Sequence, residues 1–400
     1  MNNLLSFERV FPKRIAVNDS HRWAIHLVVF SIFLLVVSVG CQPRAVARAT
    51  GTPPTADEIT RVAGIPLKML DKADLRVNWL ISKLAMGQGQ RIEQIFYHNG
   101  QLYLINNSNK LYALDGTKGI LLWTQSLGDS RGQCQPVEFY QDRLLVLLDK
   151  TYMELSESNG RILHKVQLKF TPTTSAARTK ERIFVGSDDR RFYSLRREDG
   201  VSLWHSAQPD KPLGRIAVSQ GNVYFVCKNG ALYVSRTDKR EKVWQADTNG
   251  KVCGVVVSNG QCFLPSTDTA LYCFRAKSGA PMWKYLAGGA LAEVPILTER
   301  FAYQGVKLSS LLCMDRRPRT NQGAVKWELP NGYCMLAENG SISYAMTLNK
   351  ELTLMNNDTG KRIISFYVPD MELYVRNNED TLIFLADKEG MILSLQPKAL

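Results

Sequence analysis

The chain has 400 residues, 45% of them apolar and 22% charged, which supplies a sizeable core and excludes a generally disordered polypeptide. Fifty Lys and Arg against 37 Asp and Glu give a net charge of +13; residues 1–41 hold four cations and two anions, so the remainder still carries +11. Such a balance favours anionic partners, or describes a merely soluble basic surface, since no dense Lys/Arg run interleaved with aromatics occurs.

In chain order, residues 24–40 read AIHLVVFSIFLLVVSVG, an apolar run at the short end for spanning a bilayer, preceded by Lys13, Arg14 and Arg22. It reads as an export signal, and because the positive charges precede it, cleaved or retained it exports the rest. Cys41 follows directly, behind Gly40, where a lipoprotein signal places its acylated cysteine; Ser38 stands where a Leu-like residue is usual. Three outcomes stay open: acylation of Cys41, cleavage near Ala45-Val46-Ala47, or a retained anchor. Residues 42–70, with their Pro, Thr and Gly, read as a tether, and Thr55 and Glu58 have capping-box spacing for a short helix.

From residue 71 to 400 a repeat governs the sequence. Its clearest copies are LYLINNSNKLYALDGTKGILLW, IFVGSDDRRFYSLRREDGVSLW, VYFVCKNGALYVSRTDKREKVW and CFLPSTDTALYCFRAKSGAPMW. Each holds two apolar-alternating runs joined by a polar turn, a second turn, and a third run ending in Trp. With that last position as a marker, the series is Trp79, Trp123, His164, Trp204, Trp244, Trp283, Trp327 and Ile364, with steps of 44, 41, 40, 40, 39, 44 and 37 residues. A period near 40 with several strand-length runs per unit predicts the four-stranded antiparallel blades of an all-β propeller; helical repeats would space their apolar residues by three to four.

Four positions before the marker stand Gly119, Gly160, Gly200, Gly279, Gly323 and Gly360, where a tight turn calls for positive φ; Arg240 replaces the glycine once. The last unit stops at Leu400 without an outer strand, while the segment from Leu75 to Ile81 has the outer-strand pattern and no blade before it. The N-terminal strand therefore closes the last blade, making eight.

Chemistry-bearing residues are few. The eight cysteines, at 41, 134, 227, 253, 262, 273, 313 and 334, have no metal-ligand spacing; Cys262 and Cys273 fall on neighbouring strands, so they are bridged or, like the others, buried free thiols. Arg190, Arg191, Arg196 and Arg197 form the densest basic group and a candidate patch for an anionic partner, with Arg316, Arg317 and Arg319 second. Asp188 and Asp189 sit in a turn and read as solvated. His164 holds a marker position and reads as a packing residue, and no GxSxG, Walker or dinucleotide-type glycine loop occurs.

The unit Ala113-Leu114-Asp115-Gly116-Thr117-Lys118-Gly119-Ile120-Leu121-Leu122-Trp123 resembles the PQQ-like repeat, AxDxxTGxxxW, and the likeness runs over roughly residues 75–400. The resemblance implies an eight-bladed β-propeller in which Trp79, Trp123, Trp204, Trp244, Trp283 and Trp327 dock each blade on the next. One branch of that family is the quinoprotein dehydrogenases, which hold pyrroloquinoline quinone and calcium in the central funnel; the chain is short for it and lacks its adjacent cysteine pair. The other is the exported, non-catalytic BamB-like lipoproteins, which this sequence is similar to in length, signal type and repeat class. The expectation is therefore a membrane-tethered scaffold on the periplasmic side, with protein partners, no cofactor, no metal, no catalytic residues and, being exported, no nucleic acid. A quinone-dependent enzyme and a polysaccharide- or ligand-binding propeller are the alternatives.

Overall fold

The second strand of each repeat is apolar at nearly every position, as in Arg143–Leu148 (RLLVLL), because both faces of the sheet that it joins are covered by neighbouring sheets. The computed structural model, which describes residues 54–55, 59–129, 132 and 134–398, shows the result: an all-β propeller of eight four-stranded antiparallel blades. Residues 24–40 and Cys41, with the export and lipidation readings, lie outside the described residues.

Blade 1 pairs Ile92–His98, Gln101–Asn106, Lys110–Asp115 and Leu121–Ser126 in that order, strands A to D from the channel outward. Blades 2 to 7 repeat the order over residues 138–167, 177–207, 212–247, 256–286, 296–330 and 332–367. Blade 8 takes Leu373–Tyr374, Ile383–Ala386 and Ile392–Pro397 from the C-terminal end, and Leu75–Ile81 supplies its strand D. That strand pairs antiparallel from Leu75 opposite Pro397 to Ile81 opposite Ile392, so the ring closes as the repeat pattern predicts.

This up-and-down course sorts the turns. Turns between strands B and C, and the links from D to the next A, lie on one face; the A–B and C–D turns lie on the other. The chain enters the ring at Leu75, at the C–D end of blade 8, where Lys398 N–H donates to the Asp74 carbonyl at 2.8 Å.

The core lies between blades. Trp79 and Phe384 of blade 8 share a buried cluster with Leu102, Leu104 and Tyr112 of blade 1, and comparable clusters recur around the ring. The segment read as a tether takes part in it. A π-helical turn, Ile59–Ala63, and helix α1, Leu67–Lys72, place Ile59, Ala63, Ile65 and Leu70 in a cluster with Tyr344, Phe366 and Leu393, so the folded unit begins at least twelve positions before residue 71.

Candidate binding surfaces

Every C–D pairing carries a register shift beside the marker, between Ala113 and Leu114 opposite Trp123 and at the matching place in each blade, Val77/Trp79 included. Such a bulge re-aims the side chain. Trp79, Trp123, Trp244 and Trp283 donate their indole N–H to the Gly116, Glu157, Ala276 and Arg316 carbonyls of the next blade at 2.8, 3.0, 2.9 and 3.1 Å, and Trp327 donates to Asn357 Oδ1 at 2.8 Å. His164 bonds the Arg197 carbonyl through Nε2, so it keeps the donor that the tryptophan would provide. At Ile364 the next blade has no C–D turn to accept a bond, because its strand C ends at Pro397 and its strand D begins at Leu75, and an aliphatic side chain packed on the cluster of Leu70 and Leu75 suffices.

Gly119, Gly160 and Gly279 receive the rings of Trp79, Trp123 and Trp244, while Gly200 meets Val166 and Gly360 the Lys326 carbonyl. A Cβ on Gly119 would lie 2.6 Å from the Trp79 indole, and the backbone there has φ of 67°. Gly160, Gly200, Gly279 and Gly360 share the positive φ, but Gly323 does not. Its loop, from Asp315 to Ala324, is longer than the others and needs no left-handed residue; glycine is required because Tyr285 and Met314 stand within 2.8 Å of where a Cβ would be. In blade 4, where Arg240 replaces glycine, the turn also lacks a left-handed residue, and the Trp204 indole N–H facing it is buried without a partner.

The four-arginine group does not form one patch. Arg190 and Arg191 lie at one end of the strand Arg191–Arg196 and Arg196 and Arg197 at the other, about 16 Å away at some 3.3 Å per residue. Arg191 pairs with Asp189, Arg196 with Asp199, and Arg197 donates twice, at 2.8 Å, to Glu154. Glu154 is fully buried and also takes bonds from Arg178, Arg143 and Tyr152. Burial pushes its carboxyl up, but the hydrogen bonds from Arg197, Arg178 and Tyr152 outweigh that and hold it at about 2. Arg316, of the second group, is buried too and donates to Gln261 Oε1, the Ser258 carbonyl and the Thr298 carbonyl. Asp189 accepts from Tyr193 at 2.6 Å within its turn.

Cys262 lies opposite Phe274, and Cys273 opposite Phe263, so adjacent positions of opposite pleat send the two thiols to opposite faces of blade 5. They pack in different inter-blade clusters and are free, as are the other described cysteines; the bridged alternative is ruled out by this register. Burial pushes the Cys273 thiol up to about 12.

The strands A enclose a channel of about 1080 Å³, whose charged lining sequence reading missed because its members come from six separate repeats. Arg215 donates to Glu138 at 2.8 and 3.1 Å, Arg376 pairs with Glu293, and His98 Nδ1 lies 2.7 Å from Glu379. Arg178 covers the Tyr140 ring at 4.1 Å. Burial raises the Glu138 carboxyl against the pull of Arg215, and lowers Arg376. The lining does not fit a quinone with calcium: Glu138, Glu293 and Glu379 each face a cationic or imidazole partner, and among the described residues no three His, Cys, Asp or Glu side chains converge as a hard cation requires.

A family model described as outer membrane protein assembly factor BamB matches residues 67–285. The chain belongs to this family of PQQ-like repeat propellers. Among solved structures it is similar to BamB from Moraxella catarrhalis, at 14% identity over 82% of this chain and 98% of that one, with a TM-score of 0.61. It is similar to the computationally designed Ika8 protein, at 12% identity over 78% and 97%, TM-score 0.63. A third likeness, to the quinohemoprotein alcohol dehydrogenase ADHIIG from Pseudomonas putida HK5, has 10% identity over 82% and 77% and a TM-score of 0.60. At these identities each likeness shows the fold alone. No curated protein matches the chain. Among the described residues no helix is long and apolar enough to cross a membrane.

Proposed function

We propose that this BamB-family propeller is an exported, membrane-tethered scaffold without catalytic activity of its own, which binds protein partners through its turns; assembly of outer-membrane proteins is the most concrete version. The family match over residues 67–285 carries the reading. The use of the repeat aromatics supports it: the indoles of Trp79, Trp123, Trp244, Trp283 and Trp327 are bonded between blades, and what differs from blade to blade is the set of exposed turns. Export rests on the apolar segment 24–40 behind its basic residues, and tethering on that segment or on Cys41.

Crosslinking of the full chain in intact membranes, followed by identification of what is captured, tests it. Components of the outer-membrane assembly machinery are the expected capture; glycan alone would favour a polysaccharide-binding propeller. Reconstitution with quinone and calcium and a dye-reduction assay is expected to give no turnover, and robust turnover would overturn the reading.

A further inference from the structure

The turns between strands B and C reach a left-handed residue in every blade. Seven of them use Asn109, Asp149, Arg190, Gly230, Thr269, Lys350 and Gly390. Blade 6 uses Leu308, at φ of 54° and 78% exposed. Ser309 N–H donates to the Val306 carbonyl at 3.1 Å, which makes Leu308 the third residue of a type II turn, a position that glycine or asparagine fills without strain. Neither backbone preference nor packing within the chain explains a leucine there.

Leu308 is not isolated. Leu286, Tyr333, Leu348 and Tyr367 are also exposed, all on the B–C face of blades 5 to 7. Main-chain bonds join their segments: Lys307 N–H donates to the Ala290 carbonyl, Asn331 N–H to the Ser309 carbonyl, Leu348 N–H to the Asn331 carbonyl and Val368 N–H to the Lys350 carbonyl, at 2.7 to 2.9 Å. The five side chains thus flank one continuous arc. A groove of about 340 Å³ between blades 6 and 7 opens beside Asn331 and Thr347. Scattered exposed apolar residues are ordinary, whereas a cluster of this extent on one face marks an interaction site.

Charge narrows the occupant. Lys239, Lys326, Lys388 and Lys398 have carboxylate partners, but Lys251, Lys307 and Lys350 on this face have none among the described residues. Of the nearby acids, Asp268 is held by Tyr272 and the Asn249 N–H, Glu293 by Arg376 and Glu372 by Lys388, whereas Glu328 and Glu351 line the groove and Asp370 is exposed beyond Tyr367.

We propose that the B–C face of blades 5 to 7 docks a protein segment that carries apolar anchors among acidic residues, with Leu308, Leu348 and Tyr333 receiving the anchors and Lys307 and Lys350 the carboxylates. This rests on the scaffold reading and names its surface. Apolar anchors at the centre of a contact supply most of its energy, and charges at the rim set the choice of partner.

The test places a photo-crosslinking amino acid at Leu308 or Leu348 of the full chain in intact membranes, and at the exposed Lys118 and Lys277 of the opposite face as controls. Adducts are mapped by peptide mass spectrometry. Adducts at 308 and 348 that map to an acidic, apolar protein segment, with yield falling about tenfold in Lys307→Glu/Lys350→Glu, are expected; tenfold corresponds to about 1.4 kcal/mol. Adducts to lipid or to a basic segment, or protein adducts at the control positions alone, overturn this surface and leave the scaffold standing. Absence of protein adducts on both faces overturns the scaffold reading as well.

Discussion

Trp79 stands 37 positions before Gly116, yet its indole N–H donates to that glycine's carbonyl at 2.8 Å, and its ring lies where a Cβ on Gly119 would be. This contact joins the strand borrowed by blade 8 to blade 1, and so closes the ring through the first strand of the fold. A closed ring has no free sheet edge at its seam, and its stability is shared among all blades.

Deletion of residues 70–84 removes that strand, its tryptophan and the end of helix α1. We expect the whole domain to melt at a lower temperature in a differential scanning calorimeter; a deleted protein that melts like the parent would show that the seam contributes nothing.

The indole bonds differ in one place, and the difference is measurable. Trp123→Phe leaves the Glu157 carbonyl without its donor and should cost about 1 kcal/mol beyond the change in packing. Trp204→Phe breaks no such bond, since that N–H has no partner, and should cost less by a similar amount. Urea unfolding of the two variants gives the comparison, and equal losses would contradict it.

Glycine 119 and glycine 340 both have positive φ, 67° and 58°, so alanine pays the same kind of backbone strain at each. Nothing lies within 4 Å of a Cβ at Gly340, whereas the Trp79 ring lies 2.6 Å from one at Gly119. Gly119→Ala should therefore be the more destabilising by about 1 to 3 kcal/mol, the usual range for overpacking, again by urea unfolding.

Glu154 makes stability depend on acid. Its folded carboxyl is held at about 2, against about 4.3 in an unfolded chain. A lowered value means that the contribution is fully present above the unfolded value and is lost as pH falls from there toward 2. Glu154→Gln removes this dependence and leaves three guanidiniums around a neutral amide, for a loss of about 3 to 5 kcal/mol at neutral pH. Denaturant unfolding at several pH values checks both the slope and its disappearance.

Much of the fold was legible because it repeats. Strand order, blade number and closure through Trp79 follow from a period near 40 and an orphan outer strand, and both can be read from one copy to the next. What could not be read arises where copies meet. The partner of Glu154 is Arg197 of the next blade, and the channel groups Arg215 and Glu138 are 77 positions apart. Arg190 and Arg197 look like one cluster in the sequence, but a strand between them carries them to opposite faces. Gly323 keeps the repeat's letter for a different reason, close approach rather than turn geometry. Leu308 did leave a signal: comparison of the eight B–C turns singles out its apolar side chain.

The central claim is that a closed propeller of this kind acts by holding another protein. Native mass spectrometry of the full chain, released gently from its own membranes, tests it most directly. The account predicts a species heavier than the chain by one or more outer-membrane assembly proteins, and its loss in Leu308→Ser/Leu348→Ser with the propeller still folded. A chain that leaves the membrane at its own mass under every gentle condition would contradict it.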